Sequence, residues 1–187
     1  SWADALDGSK KTFQKFMVRP IIDATTAYRK NLKIVIKQYG EIVKNAKTST
    51  WTAAEIDAPT LRYKFKNKAE LIGALLHTGN KSNFQKLLVG RAWGTIDESG
   101  ELDSSRWDEF MREMFRKGVV NKTDMDFVQS VWDLNESLKP AAQKAHKKMY
   151  GYYFSEITAD PVQTPFGEYR GGYMPAVADS FLAQDAN

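Results

Sequence analysis

The two histidines, His77 and His146, are the first candidates for acid–base chemistry or metal binding in this chain of 187 residues. Neither has a second histidine or a carboxylate three or four residues away, the spacing that places two metal ligands on one helix face. His77 lies at a predicted helix end, and His146 lies among Lys144, Lys147 and Lys148. We therefore interpret His77 as a hydrogen-bonded structural residue and His146 as a solvated one.

Carboxylates are frequent between residues 97 and 126, and Asp97, Ser99, Glu101 and Asp103 superficially resemble a calcium-binding loop. The D-x-D-x-D-G spacing with a closing glutamate is absent, because the glycine of this loop comes too early. We interpret these carboxylates as helix caps and surface charge.

Motifs for catalysis are missing from the rest of the chain. It has no cysteine, which excludes disulfides, thiolate zinc sites and cysteine nucleophiles. No nucleophile elbow, phosphate-binding Walker loop or dinucleotide-binding G-x-G-x-x-G occurs. We predict a protein that is not an enzyme and that uses no metal, cofactor or small-molecule ligand.

The composition is that of a soluble globular domain, with 42% hydrophobic and 27% charged residues and a net charge of +4. The apolar runs are shorter than the roughly 20 residues that span a bilayer, so we predict no membrane span. Residues 10–68 contain 14 basic and 4 acidic residues, whereas residues 95–136 contain 5 basic and 11 acidic ones. This dipolar distribution fits either a nucleic-acid face or two halves of the molecule that pack together.

One long helix is predicted from Thr12 to Ala46, with a bend at Pro20. Apolar and aromatic residues recur in it at alternating steps of three and four, as in a coiled-coil seam. The seam runs from Ile21 through Tyr28, Leu32, Val35, Tyr39 and Ile42.

A small β-hairpin is predicted next, with strands at Thr48–Thr52 and Thr60–Phe65, because Leu61, Tyr63 and Phe65 alternate with basic residues. Helices are then predicted over residues 68–77, with Asn67 and Glu70 as a capping box, and over 83–91 and 106–117. A last helix, capped by Thr123 and interrupted at Pro140, reaches about Tyr150 and ends before Gly151.

The fold class is therefore mainly α: a long helix, packed shorter helices, one hairpin and an extended tail rich in proline and glycine. We divide the chain into a helical domain, residues 1–154, with its hairpin near residues 48–66, and a turn-rich tail, residues 155–187. Gly171 and Gly172 indicate a close backbone approach in that tail. The predicted core comprises Leu32, Val35, Tyr39, Ile72, Leu75, Leu76, Leu87, Trp107, Phe110, Phe127, Val131 and Trp132.

Three stretches of the sequence carry a family likeness: KNKAELIGALLHTGNKSNFQKLLVGRAWG, KTDMDFVQSVWDLNESLKPAAQKAHKKMYG and TPFGEYRGGYMPAVAD. In this order and spacing they resemble regions of the very large polyvalent proteins of bacteriophages and mobile elements, and the likeness covers roughly Trp51 to Asp179. Such proteins string many domains together, travel in the virion and enter the host with the DNA. The start at Ser1 without methionine leads us to expect a segment of a longer chain.

The resemblance implies a non-enzymatic structural or interaction module of a virion-associated, co-injected protein, located in the virion and then in the host bacterial cytoplasm. Its implied partners are other segments of the parent chain or other virion proteins. We predict a partner surface on the seam of the first helix and on one tail segment. Its residues are Tyr28, Leu32, Tyr39, Tyr169, Arg170, Gly171, Gly172 and Tyr173.

Two alternatives remain. One is a segment that supports a virion-carried enzyme such as an RNA polymerase. The other is a DNA-binding module in which basic residues of the first helix and the hairpin contact phosphates, while hairpin aromatics stack on bases. The basic residues of that alternative are Arg29, Lys30, Lys33, Lys37, Arg62, Lys64 and Lys66.

Overall fold

A computed structural model describes residues 29–51 and 53–174, with side chains from residue 34 onward. The described chain is mainly α-helical with small antiparallel sheets of two strands, which confirms the predicted fold class. Its helices are α1 (Arg29–Asn45), α2 (Lys68–Leu76), α3 (Lys81–Gly90), α4 (Ser105–Arg116) and α5 (Lys122–Tyr150). Its strands are β1 (Ile56–Ala58), β2 (Tyr63–Phe65), β3 (Thr95–Ile96), β4 (Leu102–Asp103), β5 (Val162–Thr164) and β6 (Gly167–Tyr169).

The hairpins differ from the single predicted one. The first expected strand is wrong, because Thr48–Thr50 forms a 3-10 helix in which the Thr50 hydroxyl donates to the Lys47 carbonyl. Such local bonds compete with strand pairing. Ile56 pairs instead with Phe65, across a 3-10 turn that begins at Pro59. The β3–β4 and β5–β6 hairpins were not predicted.

The helix starts depend on side-chain caps. Asn67 accepts a hydrogen bond from the Glu70 N–H at 3.0 Å, as predicted for α2. The α5 cap was predicted two residues too late, since Asn121 and Asp124 accept from each other's backbone N–H groups. Asp124 is also buried and accepts from Trp51 Nε1.

Pro140 does not interrupt α5, which continues from Lys122 through Tyr150. A proline inside a helix removes one hydrogen bond and crowds the preceding turn, at about 3 kcal/mol. The helix packs into the molecule on both sides of Pro140, because Asn135 precedes it and Gln143 and Ala145 follow it in buried positions. The helix ends at Gly151, which has the expected left-handed conformation with φ 83°.

The core joins all five helices around a layer of aromatic rings. Phe65 stacks on Phe110 with ring centroids 5.5 Å apart, and Trp93 stacks on Trp107 at 5.6 Å. Of the twelve predicted core residues, ten are buried and Leu87 is half-buried, while the Leu32 side chain lies outside the described ones.

Candidate interaction surfaces

Helix α1 packs along α5 and turns its seam into the core. Val35 and Tyr39 are buried, and burial raises the pKa of the Tyr39 hydroxyl. Tyr39 was predicted to contact a partner, and this is wrong for the described chain, because its own helices cover the ring. Lys37 is exposed as expected. Tyr28 and the side chains of Arg29, Lys30, Leu32 and Lys33 lie outside the described part.

One of the three basic residues predicted on the first hairpin is paired with acidic side chains. Lys64 is exposed and pairs with Glu55 at 3.4 Å and Asp57 at 3.6 Å. Hydrogen bonds and charge from these two carboxylates raise the pKa of Lys64. Arg62 and Lys66 are exposed on either side of it.

The hairpin aromatics point into the molecule. Phe65 is fully buried, and Tyr63 donates a hydrogen bond to Glu70 Oε1 at 2.5 Å. Burial, followed by the contact with Glu70, raises the pKa of Tyr63 to about 12. Phe65 is therefore not accessible for the base stacking of the DNA-binding alternative, whereas the Tyr63 ring is half-buried.

Four side-chain amides hold the tail segment that follows β6, and we call them the amide clamp: Asn80, Asn83, Gln129 and Asn135. Each donates to a backbone carbonyl of residues 171–174. Gln129 Nε2 donates to Gly171 O at 3.1 Å, and Asn80 Nδ2 donates to Gly172 O at the same distance. Asn135 Nδ2 reaches Tyr173 O at 2.9 Å, and Asn83 Nδ2 donates to Met174 O.

Glycines allow the tail to approach the helices this closely, as predicted for Gly171 and Gly172. Gly79 O accepts from the Gly172 N–H at 2.8 Å. A Cβ atom on Gly172 would lie 2.4 Å from the Cβ of Trp132, and one on Gly171 would lie 2.0 Å from Asp160 O. Trp132 in turn donates to Leu76 O at 2.8 Å. Only glycine fits at both tail positions.

The predicted partner surface on the tail is therefore largely an internal contact, which corrects the prediction. Gly171 and Gly172 are buried and Tyr173 is half-buried. Tyr169 donates to Asp126 Oδ1 at 2.8 Å, and Arg170 pairs with both oxygens of Asp133 at 2.8 Å. Of these tail residues, Arg170 keeps the most exposed side chain described, at 75%.

The last turn of α5 and the residues after it form an exposed surface that was not predicted. We call it the α5-end patch: Lys144, Lys147, Lys148, Met149, Tyr150, Tyr152 and Tyr153. Its three tyrosines are 58–63% exposed and Met149 is 53% exposed. They make up half of the large apolar side chains that are exposed in the described residues. The sequence signal was a run of lysines and tyrosines without any Asp or Glu between residues 137 and 155.

Hydrogen bonds hold the backbone of this patch in place. Gly151 turns the chain, and its N–H donates to Lys147 O at 2.8 Å. His146 Nδ1 lies 2.8 Å from Tyr152 O, and Gln143 Nε2 donates to Phe154 O at 2.8 Å. The three tyrosines therefore project from a defined turn.

A groove of about 570 Å³ lies between α2, α3, α4 and the start of the β5–β6 hairpin. This volume is within the roughly 300–1,000 Å³ of small-molecule sites. Its apolar lining includes Phe84, Trp107, Met111, Phe115 and Val162, and its polar lining includes Lys81, Asp108, Arg112 and Asp160.

The chain was compared with protein-family models, curated proteins and solved structures. None of the three comparisons finds a match.

Two observations concern acid–base and metal chemistry in the described residues. No group of three or more His, Asp or Glu side chains there is placed to hold a metal ion. Burial, with the charge of Arg91, lowers the pKa of His77 to about 4, so this histidine is neutral at pH 7. Within the same described part, no helix is long and apolar enough to cross a membrane.

Proposed function

We propose that this chain is a non-enzymatic interaction module of a large, virion-associated polyvalent phage protein. The observation that carries the proposal is the amide clamp, because it joins the three stretches on which the resemblance depends. Asn80 and Asn83 come from the first stretch, Gln129 and Asn135 from the second, and residues 171–174 from the third. Stretches far apart in sequence thus form one structural unit.

The use of buried polar groups supports a structural role for that unit. Asn80, Asn83, Gln129 and Asn135 are all buried, and each donates to the backbone of the tail. Buried amides in such positions satisfy backbone carbonyls that would otherwise cost about 1–3 kcal/mol each. These side chains therefore maintain the fold, and the surface of the module makes its outside contacts.

The α5-end patch is the surface best suited to such a contact. Exposed tyrosine and methionine side chains are enriched in the centres of protein interfaces. In this role its partners are other segments of the parent chain or other virion proteins, in the particle and then in the host cytoplasm.

The two alternatives keep the status of predictions. For DNA binding through the hairpin, the pairing of Lys64 and the burial of Phe65 are unfavourable. For a segment that supports a virion RNA polymerase, no contact among the described residues distinguishes this alternative from the others.

Cross-linking mass spectrometry on gradient-purified particles tests the proposal. We expect peptides of this chain in the particles, with cross-links from Lys144, Lys147 or Lys148 to other virion proteins or other parent segments. Lys68, which is mostly buried and paired with Asp124, provides the internal control and should give no such links. Particles that lack these peptides, or cross-links confined to the chain itself, would contradict the proposal.

A further inference from the structure

The charged side chains of the α5-end patch itself are all basic. Lys144, Lys147 and Lys148 are exposed, and none of them pairs with a carboxylate in the described residues. No Asp or Glu occurs between residues 137 and 155. Several other lysines are neutralised, such as Lys64 on the hairpin and Lys122 at the start of α5. The patch therefore presents cations that can contact a polyanion.

The aromatic rings lie among these cations. The Lys147 ammonium is 4.5 Å from the centroid of the Tyr153 ring, and it donates to the Tyr153 hydroxyl at 3.3 Å. Tyr150 and Tyr152 both contact the His146 ring, with centroids 4.7 and 4.9 Å away. More than half of each tyrosine nevertheless remains exposed.

We propose that the α5-end patch binds single-stranded nucleic acid. Tyr150, Tyr152 and Tyr153 stack on unpaired bases, and Lys144, Lys147 and Lys148 contact the phosphates. Exposed aromatic rings in a basic surface are the combination that single-strand-binding proteins use, because every base has a face on which a ring can stack.

A single strand fits these observations better than a duplex does. Base faces are covered by their neighbours in a duplex and accessible in a single strand, so exposed tyrosines gain contacts only with the latter. An acidic protein segment would also satisfy the lysines, and it is the occupant that remains if the oligonucleotide does not bind. The proposal goes beyond the interaction module described above, since it assigns a ligand class to this patch and does not depend on a virion.

The test is fluorescence anisotropy of a labelled 20-nucleotide thymidine oligonucleotide, titrated with the 187-residue chain at several salt concentrations. We expect micromolar affinity at low salt, weaker binding to a 20-base-pair duplex, and a log–log salt slope of about −2 for three phosphate contacts. Tyr152→Ala/Tyr153→Ala should weaken binding at least about fivefold. Tyr152→Phe/Tyr153→Phe, which keeps the rings, should bind like the unchanged chain.

Matched variants locate the site. Lys147→Gln/Lys148→Gln should reduce the salt slope to about −0.7, whereas Lys81→Gln/Lys86→Gln removes the same charge from exposed positions on α3 and should change it little. Circular dichroism confirms that each variant is folded. The proposal is overturned if the oligonucleotide does not bind at low salt, if the duplex binds as tightly, or if the alanine variant retains its affinity. It is equally overturned if Arg62→Gln/Lys66→Gln on the hairpin reduces the affinity for the oligonucleotide more than the changes in the α5-end patch do.

Discussion

Individual residues of the tail contact show what glycine contributes to this fold. Gly172 is buried against Trp132, and its N–H and C=O groups both bond to the turn between α2 and α3. The pattern Gly-Gly predicted a close approach, but it could not reveal the neighbour. Asn80, which donates to the Gly172 carbonyl, is more than 90 residues away in the sequence. A single sequence contains no signal for such a pairing.

Gly172→Ala should destabilise the protein by about 2 kcal/mol or more, because the added Cβ overlaps the Trp132 side chain. Gly40→Ala is the matched control: Gly40 lies inside α1 with open space around it, so alanine should stabilise the helix by up to about 1 kcal/mol. Urea denaturation measures both changes. Equal stabilities of the Gly172→Ala variant and the unchanged chain would contradict the close approach.

The half-buried His77 makes stability depend on pH. Its pKa is about 4 in the folded protein against about 6.5 in the unfolded chain, so the unfolded state binds the proton first as the pH falls. The stability from neutral His77 is fully present above about pH 6.5. It is lost progressively down to about pH 4, by about 3 kcal/mol in all.

Urea denaturation between pH 7 and pH 4 tests this prediction. His77→Gln should remove most of the slope over this window. An unchanged slope in His77→Gln would show that other groups cause the acid sensitivity.

At the scale of elements, local signals predicted the helices well and the hairpins poorly. The Asn67 cap and the Gly151 stop were predicted because each acts within one helical turn. Thr48–Thr50 was assigned to a strand by its composition, yet its hydroxyl bonds favour a 3-10 turn. The short β3–β4 hairpin depends on Asp97, which accepts from the N–H groups of Ser99 and Glu101, a role that charge counting does not reveal.

Pro140 provides a test of how packing overrides helix propensity. Pro140→Ala should raise the free energy of unfolding by about 1–3 kcal/mol, since it restores a helix hydrogen bond at an exposed position. Part of the gain is offset because alanine makes the unfolded chain more flexible. Thermal and urea denaturation measure the change. A loss of stability would mean that α5 requires the proline geometry.

At the scale of the whole molecule, the tail packs against residues on the other side of the predicted division at residue 154. Met174 is fully buried, and Asp160 and Gly172 both bond to Gly79. Sequence composition indicated a turn-rich tail from residue 155, but composition does not show whether such a tail completes a core. The α5-end patch was not predicted for a similar reason. Packing decides that Tyr39 is buried and that the tyrosines after Gly151 are exposed, and composition does not show this.

Removal of residues 155–187 should therefore unfold or severely destabilise the remainder. The truncation exposes Trp132 and leaves the amide clamp without its carbonyl partners, a loss of more than about 5 kcal/mol. Arg170→Ala removes only an exposed ion pair and should cost less than about 1 kcal/mol. Circular dichroism and tryptophan fluorescence compare the two. A truncated chain with native helicity and cooperative melting would show that residues 1–154 are an independent domain.

We propose that the outside contacts of this chain lie at the α5-end patch. Lysine acetylation footprinting can compare the isolated chain with the same chain inside purified particles. We expect Lys144, Lys147 and Lys148 to react several-fold more slowly in the particle than in isolation. Equal reaction rates at these three lysines in both states would contradict it.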